Sequence, residues 1–151
     1  MKKFLTITLL ILVSSCGYSS VYKNQEKVDF LVKIIKMNGD FQINNFIKND
    51  LKVLSNINSN KIYEVNIDSD FKKIIIAKNA SGMATDYKLE MEIKFQIISN
   101  KNKEVTFSEN LKIKHNDEKF EQSNYEKEIK KNFSKMIANK LSLYLIKLDD
   151  N

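Results

Sequence analysis

From Tyr87 to Ile97 hydrophobic and polar positions alternate without exception. Tyr87, Leu89, Met91, Ile93, Phe95 and Ile97 share one parity, and Lys88, Glu90, Glu92, Lys94 and Gln96 share the other. A period of two with one apolar and one charged side predicts an antiparallel strand packed on one face and wet on the other. The run SNKNK, residues 99–103, reads as a hairpin loop, after which Val105, Phe107, Leu111 and Ile113 continue the alternation in a partner strand. Ahead of it, Asn79-Ala80-Ser81-Gly82 reads as a turn.

Residues 61–78 also run at period two. Tyr63, Val65, Ile67, Phe71, Ile75 and Ala77 lie on one side, interrupted by Ser69 and Lys73. Asp68-Ser69-Asp70 is expected either as a bulge bending one long strand or as a turn between two short ones. Residues 28–37, VDFLVKIIKM, are β-branched and apolar on both parities, as a central strand buried on both faces would be. Asn38-Gly39-Asp40 breaks that run, with Asp40 placed to cap a helix. Ile43, Phe46, Ile47, Leu51 and Leu54 then recur at helical spacing, ending in a polar loop over 56–60.

The last element is expected from about Ser123 to Leu148. Tyr125, Ile129, Phe133, Met136, Ile137, Leu141, Tyr144, Leu145 and Leu148 form its apolar stripe, while Lys127, Lys130, Lys131, Lys135 and Lys147 lie off it. Ser123 with Glu126 three residues later has the form of a capping box. Such a stripe serves to cover a sheet more readily than to hold a cofactor. The order β-α-β-β-β-α predicts an α+β domain: a mostly antiparallel four-stranded sheet covered on one face by two helices.

The first residues obey a different pattern. Lys2 and Lys3 precede an uncharged run, Phe4 to Val13, of about ten residues. A membrane-spanning helix needs roughly 20, so this run matches the core of a secretory signal instead. It ends in Val13-Ser14-Ser15-Cys16, which resembles the bacterial lipobox: an aliphatic residue and two small ones before a cysteine that takes a diacylglycerol thioether. Cys16 is the only cysteine. In a plain secreted protein it would be an odd free thiol in an oxidising compartment. The chain therefore divides into a signal peptide over 1–15, a lipidated tether over 16–27 and one domain over 28–151, attached to a membrane through acylated Cys16. Two or more acyl chains make such anchoring stable.

Composition narrows the chemistry. The formal charge is +6, or +4 without the two signal lysines, and every basic residue is lysine. Asn, Lys and Ile are abundant while Pro and Trp are absent, the bias of an AT-rich coding sequence, so the basic balance says little about partners. A nucleic-acid binder would interleave arginine and aromatics on one face, and no nucleic-acid partner is expected. His115 is the only histidine and sits in a polar turn, and three glycines form no phosphate loop. No His, Cys and carboxylate cluster has metal-ligand spacing. Neither a metal, a cofactor nor an enzymatic activity is expected.

The lipobox, Cys16-Gly17-Tyr18 directly after it, and the entry to the third strand through Ala84, Tyr87 and Leu89 together resemble the LPS-assembly lipoprotein LptE family. The stretch IIIAKNASGMATDYKL, residues 74–89, carries most of the likeness. The resemblance implies a non-enzymatic lipoprotein of the outer membrane, anchored on its periplasmic side. Its partners would be the β-barrel LptD, which it plugs and helps assemble, and lipopolysaccharide during delivery to the surface. It also implies phosphate contacts from basic residues near the turn before the third strand and the loop before the last helix. Here these positions offer Lys78, Lys114 and Lys119, for which ordinary solvated lysines are the competing reading. The alternative role is a structural or pilotin-like outer-membrane lipoprotein that recognises another barrel or a secretin.

Overall fold

The computed structural model describes residues 28–98 and 102–149. The expected signal peptide, Cys16 and the expected tether lie outside the described residues, as does most of the loop expected at 99–103. Six elements follow in the expected order: β1 (Leu31–Gly39), α1 (Phe41–Leu54), β2 (Ile62–Lys78), β3 (Ala84–Ile98), β4 (Lys103–Lys114) and α2 (Lys119–Asp149). They form one sheet in the order β1-β2-β3-β4. β1 lies parallel to β2, and the other two pairings are antiparallel.

The alternation of β3 holds residue by residue. Leu89, Met91, Ile93, Phe95 and Ile97 are buried, opposite Lys73, Phe71, Ser69, Ile67 and Val65 of β2. Both helices cover this face. Ile43, Ile47 and Leu51 of α1 and Ile129, Ile137, Leu141 and Leu145 of α2 close a single core with it. Fully burying a side chain of this size contributes about 1.5–3 kcal/mol, so the β3 row and its helix cover account for most of the driving force. Phe107 extends the core toward β4 with its ring against Phe95 and Tyr144, at centroid distances of 6.2 and 6.4 Å.

β1 corrects the expectation of a central strand, since it forms the edge of the sheet. Its apolar character on both parities has another cause. The ladder to β2 slips between Ile34 and Lys36, so Val32 and Ile34 stand opposite Tyr63 and Val65, whereas after the slip Met37 and Gly39 stand opposite Ile67 and Ser69. A bulge inserts one residue and swaps the faces. Even-numbered residues face the helices before Ile35, and odd-numbered ones after it.

β2 is one continuous strand, and Asp68-Ser69-Asp70 is neither a bulge nor a turn, for its ladder to β3 is regular there. The irregularity lies further on, around Ile75–Lys78. Ser69 interrupts the apolar row because the β1–α1 corner comes down on it. Its carbonyl accepts from the Asp40 N–H at 3.4 Å, and its hydroxyl donates to the carbonyl of Asn38 at 3.3 Å. Gly39 makes this approach at φ +90°. Asp40 then caps α1 as expected, its Oδ1 accepting from the N–H groups of Gln42 and Ile43 at 2.8 and 3.0 Å. Its Oδ2 accepts from Lys130 Nζ at 2.8 Å. Lys130 thus leaves the solvent, ties the two helices together and stacks over the Phe71 ring at 4.5 Å.

α2 begins at Lys119, four residues before the expected cap, and Ser123 lies inside it. The start is organised by two side chains reaching across the loop. Asn116 Oδ1 accepts from the Glu118 N–H at 3.0 Å, and Gln122 Oε1 accepts from the Asn116 N–H at 2.9 Å. Glu126 serves a different purpose, binding Lys73 of β2 at 2.6 Å. The buried stripe begins at Ile129, while Tyr125 and Met136 are exposed. None of the helices among the described residues is long and apolar enough to cross a membrane.

Candidate functional site

The structure separates two surfaces on which function can rest. The first is the uncovered face of the sheet. There β3 presents Lys88, Glu90, Glu92, Lys94 and Gln96, flanked by Asn66, Asp68, Asp70 and Lys72 of β2 and Thr106, Ser108 and Asn110 of β4. Opposite charges pair within it: Lys88 with Glu90, Lys72 with Asp70 at 2.7 Å, Lys94 with Glu104 at 3.4 Å, and Lys33 with Glu64 at 2.8 Å. Asn66 Nδ2 donates to Gln96 Oε1 at 3.0 Å. A strand of this length spans roughly 50 Å at ~3.4 Å per residue. The result is a long, polar, charge-balanced plane with no helix on it.

The second surface is the end of the sheet where β2 turns into β3. Asn79 shapes the turn, its Oδ1 accepting from the N–H groups of Ser81 and Met83 at 3.1 and 2.9 Å, and Gly82 completes it at φ +82°. Such an Asx turn holds its own backbone without help from the core. The sheet here runs past its helix cover. Ile74, Ile75, Ile76, Met83 and Leu111 are all exposed. Where the covered face ends, Lys73 sits over the Tyr87 ring at 4.1 Å and binds Glu126, which also accepts from Gln122 Nε2 at 2.6 Å.

The structure brings two of the three candidate lysines together and sets the third across a loop. Asp86 of β3 stands opposite Ala77 on one side and Lys114 on the other, with Lys78 opposite Ala84 just beyond. Lys78 and Lys114 therefore flank β3 about 12 Å apart, two strand spacings across and two residues along. Lys119 opens α2 on the far side of residues 115–118. That loop is held to β3 by the His115 N–H, which donates to the Thr85 carbonyl at 2.8 Å. It borders a hollow of about 640 Å³ lined by Lys114, His115, Asp117, Glu121, Gln122 and Tyr125 among others. Its two carboxylates make this hollow a poor anion pocket by itself, so the cationic surface lies on the strands.

There the alignment adds Lys112, which stands opposite Lys88 on the uncovered face and which sequence reasoning passed over. The signal was available, since Lys112 and Lys114 share a parity, but their approach to Lys78 depends on pairing across β3. Among the described residues Lys78, Lys112, Lys114 and Lys119 make no ion pair. Unpaired cations beside exposed isoleucines form an amphiphilic tip. Cys16, the other candidate site, lies outside the described residues.

No known protein-family model matches this sequence, and no curated protein does. Solved structures do match. Rare lipoprotein B from Shewanella oneidensis superposes with a TM-score of 0.58 at 10% identity, over 77% of this chain and 98% of that one. The fold is shared. A putative lipoprotein from Caulobacter crescentus CB15 gives 0.53 at 11% identity, covering 80% of this chain and 89% of its own. A minor lipoprotein from Acinetobacter baumannii gives 0.51 at 12%, covering 74% and 95%. At these identities the likeness is one of fold alone, and all three of these proteins are named as lipoproteins.

Proposed function

We propose that this chain is an outer-membrane lipoprotein, held on the periplasmic side by acylated Cys16, that plugs and helps assemble the LPS-translocating barrel LptD and assists LPS delivery. It acts by binding and carries out no catalysis. The observation that carries the reading is the uncovered, charge-balanced sheet face, in a fold shared with bacterial lipoproteins. A wide barrel has a polar lumen, and a long plane of paired charges and amides suits such a lining better than it suits lipid. The amphiphilic tip supports the second half of the reading. Lipopolysaccharide offers acyl chains and phosphates together, matching exposed Ile74–Ile76 beside Lys78, Lys112 and Lys114.

Pull-down from detergent-solubilised outer membrane tests the partner. An LPS-assembly barrel should be recovered, in a complex burying well over ~1,000 Å² and resistant to salt. Enrichment of a secretin or a different barrel, without that one, would establish the pilotin-like role instead. Charge reversal at Lys78, Lys114 and Lys119 should weaken LPS binding and leave the barrel complex intact. LPS binding by the unaltered chain should itself weaken with salt, because exposed charges are screened over ~8–10 Å.

A further inference from the structure

Opposite the tip, where the chain enters the domain, the structure presents a different surface. The Val28 N–H donates to the Leu54 carbonyl at 3.2 Å, and the Asn56 N–H to the Phe30 carbonyl at 2.9 Å. The start of β1 is thereby fastened to the end of α1. Beside this junction a groove of about 380 Å³ runs between the sheet edge and α1, with Leu31, Val32, Ile34 and Leu51 on its walls. Its two charged lining residues are Lys48 and Lys52, one helical turn apart, and no carboxylate lines it. Neither lysine is ion-paired among the described residues. Ile57 on its lining and Ile62, opposite Leu31, stand 75 and 54% exposed.

We infer that this end of the domain is a docking surface for an anionic phospholipid bilayer. Lys48 and Lys52 would meet headgroup phosphates while Ile57 and Ile62 enter the acyl boundary. Charge complementarity selects this occupant, because a groove with apolar walls, only lysines among its charged lining residues and protruding isoleucines matches a negatively charged, apolar-cored surface. Position agrees with it. The inference rests on the proposed anchor in one respect: the chain from Cys16 to Val28 reaches at most roughly 40 Å at ~3.5 Å per residue, so acylation keeps this end of the domain within that distance of the membrane. The state concerned is the anchored protein before it is seated in its barrel. Docked in this way, the domain points its lysine tip away from the bilayer.

The chain contains no tryptophan, so Ile57→Trp in the full chain, produced with its lipid and reconstituted into vesicles, supplies a single indole that can be excited apart from the tyrosines. In vesicles of phosphatidylglycerol and acyl-brominated phosphatidylcholine in equal parts, emission from the indole introduced by Ile57→Trp should be quenched and blue-shifted. The indole introduced by Ser108→Trp, on the uncovered sheet face, should show neither effect. Each lysine near an anionic surface is worth about fivefold in membrane partition, so adding Lys48→Glu and Lys52→Glu to Ile57→Trp should abolish its quenching, as should vesicles of brominated phosphatidylcholine alone. Quenching of Ile57→Trp no stronger than that of Ser108→Trp, or unchanged by the lysine reversals, would overturn the inference, as an acidic protein partner for the groove would require. Flotation separates the anchor. A chain that floats only with anionic vesicles, and loses this on lysine reversal, lacks the anchor but keeps the docking surface. One that floats with neither vesicle has neither.

Discussion

Gly39→Ala tests how β1 is joined to α1. Two effects act at this position, and a second glycine separates them. At φ +90° an L side chain is disfavoured by ~1–2 kcal/mol from its own backbone sterics. The added Cβ would also stand 1.8 Å from the Ser69 carbonyl oxygen and 2.8 Å from Ser69 Oγ. The oxygen belongs to a strand paired on both sides, so it has no room to retreat. The corner must lift by about an ångström, loosening the Asp40 N–H bond to Ser69 and the Ser69 hydroxyl contacts with Asn38 and Asp40. Each such bond contributes ~1 kcal/mol net, and displacing the Asp40 cap removes a further ~1 kcal/mol. The expected destabilisation is about 3–5 kcal/mol, a large part of the ~5–15 kcal/mol that holds a domain together. With a urea dependence of ~1–3 kcal/mol per molar, the unfolding midpoint should fall by ~1–5 M. Gly82→Ala is the control, because Gly82 lies at φ +82° with nothing within 4 Å of the added carbon. It should lose only the backbone part, ~1–2 kcal/mol. Equal midpoints for the two variants would refute the close approach as the reason for glycine at 39.

The packing, the charges and the anchor set further outcomes. Met91→Asp or Ile93→Asp puts an unpaired carboxylate on the buried row and should destabilise by several kcal/mol, whereas Glu92→Gln on the uncovered face should change stability by under ~0.5 kcal/mol in denaturant unfolding. Burial raises the Asp40 carboxyl pKa, but hydrogen bonds from Lys130, Ile43 and Gln42 together with the Lys130 charge outweigh it and leave the value lowered. Its stabilisation should be complete above the unfolded value of ~3.9 and lost as pH falls through the lower folded value, so urea midpoints of wild type and Asp40→Asn should converge in that acid range. At Asp50 burial prevails over Lys135 and Lys131 and raises the pKa; Asp50→Asn should therefore raise the midpoint near neutral pH and leave it unchanged below ~3.9. Cys16→Ser should abolish incorporation of labelled palmitate, and equal labelling of the two forms would remove the lipid anchor from the proposed function.

The readable parts of this fold are those governed by neighbours along the chain. Strict alternation in β3 translated directly into one buried and one open face, because an antiparallel strand with helices on one side needs nothing else to choose its orientation. Asp40 was recognisable as a cap since the groups it satisfies lie two and three residues ahead of it. The approach of other segments decided the rest. β1 looked two-sided because a bulge at Ile35 exchanges its faces, and only the ladder to β2 shows that the strand is an edge. Ser69 looked like a break in β2 when it is the seat of the β1–α1 corner, 30 residues away from Gly39 in sequence and in contact with it. The start of α2 depended on Gln122 reaching six residues back to the Asn116 N–H, a contact that no cap motif encodes, beside the local Asx turn at Asn116. The same division runs through the candidate sites. The proposed anchor at Cys16 rests on sequence alone, because a lipobox is recognised as sequence by the chemistry that modifies it. The cationic tip does not, because Lys78 on β2 and Lys112 and Lys114 on β4 belong to strands joined only through β3. Charge acts through space, and separation along the chain carries no information about it until the strands are paired.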